Sequence, residues 1–165
     1  MNPILEITIS QIPSYYIIGR KKRYTSMNLF YSNTHWSVRK GIVDKAKVSL
    51  KPFVDKEIFN IKPQSVHIEY TYESNKTSFD VENRLGFWSK VFLDYVKGTK
   101  LIPDDNVKSV KSVTYQSVYH TDKTDNLIIK VYGIPSKSNT DESKVSNTKV
   151  RSSSRGKPST KQDAK

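Results

Sequence analysis

From Ser136 to Lys165 the chain has almost nothing apolar to bury, only Ser, Thr, Lys and Arg with scattered Asp, Asn and Gly. Such a stretch cannot offset the entropy of ordering its backbone, so a disordered basic tail is expected over 136–165. Whatever folds must do so within residues 1–135, enough for one domain with a hydrophobic core and too few for two of ordinary size. The tail holds eight Lys or Arg against three Asp or Glu. The body is basic without it, since the whole chain has 28 Lys+Arg, 16 Asp+Glu and a net charge of +12. That balance points to a polyanionic partner, nucleic acid ahead of an anionic membrane surface. No apolar run approaches the roughly 18 residues of a spanning helix, and the N-terminus lacks the basic-then-apolar layout of a signal peptide. A soluble, cytoplasmic protein is expected.

Leu5, Ile7 and Ile9 alternate with Glu6, Thr8 and Ser10, the period of two of a half-buried strand, which Pro13 ends. Residues 14–34 lack clean periodicity, and the run Gly19-Arg20-Lys21-Lys22-Arg23-Tyr24 within them reads as a loop. Arg20, Lys21, Lys22 and Arg23 are candidate phosphate contacts, and a solvated surface run accounts for the same residues. Ser32, Asn33 and Thr34 offer N-cap oxygens before a helix with Trp36, Val43, Ala46 and Leu50 on one side, stopped by Pro52. Arg39, Lys40, Lys45 and Lys47 fall on its other side, a stripe for a phosphate backbone or an ordinary solvated face.

A second strand over 65–72 follows from Val66, Ile68, Tyr70 and Tyr72, with His67 on its polar side. Leu85, Trp88, Phe92 and Tyr95 recur at three- and four-residue steps in a second helix, and Gly98 suits its C-terminal cap. A phase change over 107–118 predicts a strand bent by a bulge. Leu127, Ile129 and Val131 make a last strand, paired with its predecessor across the turn at 122–125. The order β-α-β-α-β-β reads as a small α+β domain, two helices packed on a mixed sheet.

Asp80, Glu82, Asp104 and Asp105 stand within 26 positions of this otherwise basic chain. Carboxylates brought together repel and raise one another's pKa unless a cation takes up the field. There is no cysteine, and His35, His67 and His120 show no zinc-ligand spacing, so any metal site is built from oxygen, which favours magnesium or manganese. Asp80 and Glu82, two apart in extended chain, can face one ion. As helix-capping and turn residues, both acidic pairs also have an ordinary structural reading.

The series Asp80-x-Glu82-Asn83, a helix with Lys90 and Asp94, then Gly98 and Leu101-Ile102-Pro103-Asp104-Asp105 before Val107 resembles the RusA-type Holliday-junction resolvases. Their pattern is Asp-x-Asp-Asn, a Lys and an Asp on the helix, a Gly, and an Asp-Asp pair before a strand. The likeness covers 80–113 by motif and roughly 1–134 by order of elements. It implies a RusA-like fold and a homodimer that makes paired magnesium-dependent cuts in four-way DNA junctions, with manganese as a possible substitute, in recombination and repair within a bacterial or phage-infected cell. It implies Asp80, Glu82 and Asp105 as metal ligands, Asp104 as a turn residue and Lys90 as the cation beside the scissile phosphate. Two departures mark this chain. Glu82 replaces an Asp, and the Asn-to-Lys interval is four residues longer, so Gly86 holds the usual lysine position. Four residues are about one turn, a rise of roughly 6 Å that keeps Lys90 on nearly the same helix face. The rival expectations are a non-catalytic nucleic-acid-binding protein and a nuclease acting on flaps or replication forks.

Overall fold

The structure is a computed structural model that describes residues 2–54, 63–76, 80–119, 121 and 124–134. The tail expected from Ser136 lies outside them. The elements are β1 (Leu5–Ile9), β2 (Tyr15–Ile18), β3 (Lys21–Tyr24), α1 (Asn28–Tyr31), α2 (Trp36–Val54), β4 (Ser65–Ser74), α3 (Val81–Val96), β5 (Val110–Tyr119) and β6 (Asn126–Ile134). Four strands form a mixed sheet in the order β1-β6-β4-β5, and β2 and β3 make a separate hairpin. The α+β class read from the sequence is the class observed. Among the described residues no helix is long and apolar enough to cross a membrane.

The periods seen in the sequence become the core. Leu5, Ile7 and Ile9 of β1, Leu127, Ile129 and Val131 of β6, and Val66, Ile68, Tyr70 and Tyr72 of β4 are all buried, so one face of the sheet is apolar. Ile42, Ala46, Leu50 and Val54 of α2 and Leu85, Trp88, Phe92 and Val96 of α3 are buried with them. The opposite face carries His67, Glu69, Thr71 and Glu73 of β4 at intermediate exposure, the one-sided solvation an antiparallel-rich sheet tolerates.

Four expectations need correction. β6 does not pair with its predecessor. It lies antiparallel to β1 and to β4, while β5 runs parallel to β4 at the sheet edge. A strand reached through an intervening helix returns in the same direction, so β4-α3-β5 is a parallel crossover, and β6 then fills the space between β4 and β1. The expected bulge is present, since Val66 pairs with Val110 but His67 with Ser112, leaving Lys111 as the extra residue. The cationic run 19–24, read as a loop, is instead the turn and second strand of the β2–β3 hairpin, and the four-residue α1 follows it. The turn has Gly19 at φ 63°, a left-handed conformation open to glycine. In α2 the buried stripe omits Trp36, which is 63% exposed, and Pro52 lies inside the last turn rather than ending the helix.

Candidate functional site

The site is built on α3. Asp80 has extended backbone (φ −79°, ψ 107°) as its N-cap, and its carboxylate accepts from the Asn83 amide at 3.0 Å and from the Asn83 side chain. These hydrogen bonds hold the Asp80 carboxyl below the usual carboxylate range. A carboxyl whose pKa falls on folding adds stability above its unfolded value, near 3.9, and loses it as pH drops through the folded value. Asp80→Ala is therefore expected to lower the thermal midpoint at neutral pH, with the deficit shrinking as the pH is taken down through the carboxylate range below about 4. Asp80→Asn, still a capping acceptor, should retain most of the stability. Thermal melts at both pH values check this.

At the other end Gly98, at φ 80°, follows the Lys97 C-cap, and its amide reaches the Ile102 carbonyl at 3.0 Å. The chain doubles back, burying Leu101 and Ile102 and presenting Asp104 and Asp105. Both carboxylates meet Lys97 Nζ, at 2.9 and 2.7 Å. Asp105, then Asp104, raises the Lys97 pKa, and Lys97 in turn lowers that of Asp104. Asp104 also organises the turn, accepting from the Asp105 amide at 3.0 Å and the Asn106 side chain at 2.7 Å.

This return sets Asp105 in a cleft of about 240 Å³ with Gly86, Ser89, Lys90, Asp94 and Tyr115. Lys90 Nζ lies 3.6 Å from Asp94 and 5.6 Å from the Phe30 ring centroid. At Gly86 a Cβ would come within 2.8 Å of Met27 Cγ, so a side chain there requires Met27 to move. Arg84, the other helix cation, is committed elsewhere. It donates to Thr25 Oγ1 at 2.9 Å and lies over the Tyr72 ring.

The structure thus brings Asp105 and Lys90 together, with Asp94, and leaves Asp80 and Glu82 at the start of the helix. From Asp80 to Asp94 the axial rise is about 21 Å. Glu82 shares the helix face of Gly86, Ser89 and Leu93, about one turn, or 6 Å, beyond the cleft. Among the described residues no group of three or more His, Cys, Asp or Glu is gathered closely enough to hold an ion. The all-oxygen donors have the chemistry of a magnesium site, but as placed Asp80, Glu82 and Asp105 do not converge on one.

The basic candidates divide. Arg20 is exposed in the hairpin turn, and Lys21 and Lys22 are exposed on β3. Arg23 is half-buried. On α2, Arg39 donates to the Phe30 carbonyl at 3.2 Å and so ties α2 to α1, whereas exposed Lys40 forms a 2.7 Å pair with Asp44.

Two features were not read from the sequence. Lys97, which gathers the paired aspartates, lies one turn past Leu93 on α3, a spacing that could have flagged it. On the outer sheet face, His67 Nδ1 lies 2.6 Å from Ser112 Oγ, His67 Nε2 lies 3.4 Å from Glu69, and the Tyr132 hydroxyl donates to Glu69 at 2.8 Å. The order resembles a nucleophile, base and orienting acid. However, β4 is paired on both sides, so its amides are spent in the ladder and cannot serve an oxyanion. The group is a polar network, in keeping with His67 on the solvent-facing side.

Compared with models of known protein families and with curated proteins, the chain matches none of them.

Proposed function

We propose that this chain is a magnesium-dependent, structure-selective endodeoxyribonuclease of the RusA type that resolves four-way DNA junctions by paired phosphodiester cuts. The observation that carries the reading is the return of the 103–106 turn against α3, which places Asp105 in one cleft with Lys90 and Asp94. The order of motifs supports it, as does the net charge of +12, suited to a phosphate backbone. In this reading Lys90 offsets charge building on the phosphate in the transition state, and the cleft carboxylates accept hydrogen bonds from the attacking water. For Asp80, Glu82 and Asp105 to share an ion, the first turn of α3 and the 104–105 turn must approach one another.

Paired cuts require two copies, and β5 is where a second copy fits. It is a ten-residue edge strand with Val113 37% and Tyr115 39% exposed, and an edge of that length is a template for pairing. Antiparallel self-pairing matches the strand to itself and keeps the Lys108 and Lys111 ends of the two copies apart. Sedimentation should show a dimer that Ser117→Pro, which removes a backbone donor on the side of β5 facing away from β4, converts to monomer. A wild-type monomer overturns this interface.

The deciding experiment offers a four-way junction, a flap and a linear duplex at equal concentration, with and without magnesium. Nicks confined to the junction and to magnesium support the proposal. Equal cutting of all three means a general nuclease. A specific observation favours a second reading, a non-catalytic nucleic-acid binder: Asp80 serves as a helix cap, and Asp104 and Asp105 are both taken up by Lys97. Binding without cutting any of the three substrates would select it.

A further inference from the structure

The β2–β3 hairpin presents an outward face whose composition differs from the rest of the basic surface. The register sets Tyr15 opposite Tyr24 and Ile17 opposite Lys22. These four point to solvent, with Tyr24 62%, Ile17 54% and Tyr15 37% exposed, so three of the four outward positions are large and apolar. The two tyrosine rings meet edge to face at 6.1 Å, and Lys22 Nζ stands 4.7 Å from the Tyr15 ring centroid.

A two-stranded hairpin is marginal by itself, but this one is fastened to α2 through its other face. Tyr16 bonds Ser49 at 3.0 Å, and Lys45 donates to the Ile17 carbonyl at 2.9 Å. The aromatic face is therefore held rigidly, and stacking against it costs little ordering. Beside it opens a cleft of about 300 Å³ whose lining includes Lys22, Arg23, Ser26, Asn28 and Ser32. Arg23, half-buried along the cleft, sets a second positive charge beside that of Lys22, a pair suited to a phosphate.

We propose that this surface binds unpaired nucleotides, with bases stacked on Tyr24 and Tyr15 and their phosphates in the Lys22–Arg23 cleft. Ring faces accept a base only when it is out of the duplex, and aromatic rings interleaved with cations are the chemistry of single-strand binding. A duplex backbone would need the cations alone. The inference rests on the nucleic-acid reading above and not on cleavage.

The test is fluorescence anisotropy with a labelled oligothymidylate of about one site length and, separately, a hairpin duplex, at one salt concentration. Tyr24→Leu, which keeps apolar bulk on the hairpin, is expected to weaken oligothymidylate binding about 5- to 150-fold, the range of one stacked base. Duplex binding should stay unchanged, and Tyr24→Phe, which keeps the ring, should bind as wild type. Lys22→Ala should weaken both ligands and lower the salt slope by about one contact. Equal losses on both ligands for Tyr24→Leu, no loss on the single strand, or no single-strand binding by the wild type would each overturn the proposal. A protein that fails here but still nicks junctions keeps its proposed activity, and one that passes here without nicking loses only that activity.

Discussion

Asp105→Asn is expected to lower magnesium-dependent nicking of a four-way junction by roughly two orders of magnitude, with junction affinity changed by no more than a few-fold. The substitution removes a charge from the cleft and almost no volume. The fold should survive it, because Lys97 keeps its 2.9 Å pair with Asp104 and the turn keeps the hydrogen bonds that Asp104 accepts. The affinity expectation follows from the sign of the change: losing a carboxylate makes the protein more basic, and phosphate contacts are made by its cations. Asp104→Asn is the matched control, since it removes the same charge one residue away outside the cleft lining, and should leave nicking near wild type. Single-turnover cleavage and filter binding on the same preparations read both quantities. Asp105→Asn cutting at the wild-type rate would remove the catalytic reading of the cleft, and the aspartates would then be turn and ion-pair residues.

Trp88→Ala is expected to destabilise the domain by about 3–5 kcal/mol, seen as a lower urea midpoint with an unchanged slope. Trp88 is fully buried, with its ring against Phe87 at 5.3 Å between centroids, so truncation leaves a large cavity where α3 meets the sheet. The same substitution at Trp36 is expected to stay within about 0.5 kcal/mol. Trp36 is 63% exposed, and its nearest ring is His35 at 5.8 Å. Equal midpoints for the two variants would mean that α3 is not seated as described.

Those tryptophans show where sequence reading succeeds and where it stops. Trp88 recurs with Leu85, Phe92 and Tyr95 at three- and four-residue steps, and of these only Tyr95 is less than fully buried, Val96 taking the core position beside it. Trp36 belongs to the first turn of α2, and periodicity extended back from Val43 assigns it to the buried side. The stripe that packs is Ile42, Ala46, Leu50 and Val54, with the β2–β3 hairpin beside it near Gly41 and Lys45, whereas Trp36 at the helix start stays 63% exposed. The hairpin escaped notice for a related reason. In β2 apolar side chains lie on both faces, Tyr15 and Ile17 outward and Tyr16 and Ile18 inward, and β3 is three cations and a tyrosine, so no alternation marks either strand.

The candidate site was legible in its parts and not in its assembly. Asp80 as cap, Gly98 past the helix end and the return to Asp104–Asp105 all appear where local preferences put them. The distance between the two acidic ends depends on the length of α3 and on how the returning turn seats against it.

By itself the sequence determined the basic charge, the α+β class, the two long helices and the four sheet strands, because periodicity, capping and charge act between residues close along the chain. Only the tertiary structure decided that β6 enters between β1 and β4, that Trp36 stays in solvent, and that Asp105 shares a cleft with Lys90 and Asp94 but not with Asp80. Those outcomes rest on hydrogen bonds and packing between segments tens of residues apart, where many partners satisfy the same local pattern and only the whole fold selects among them.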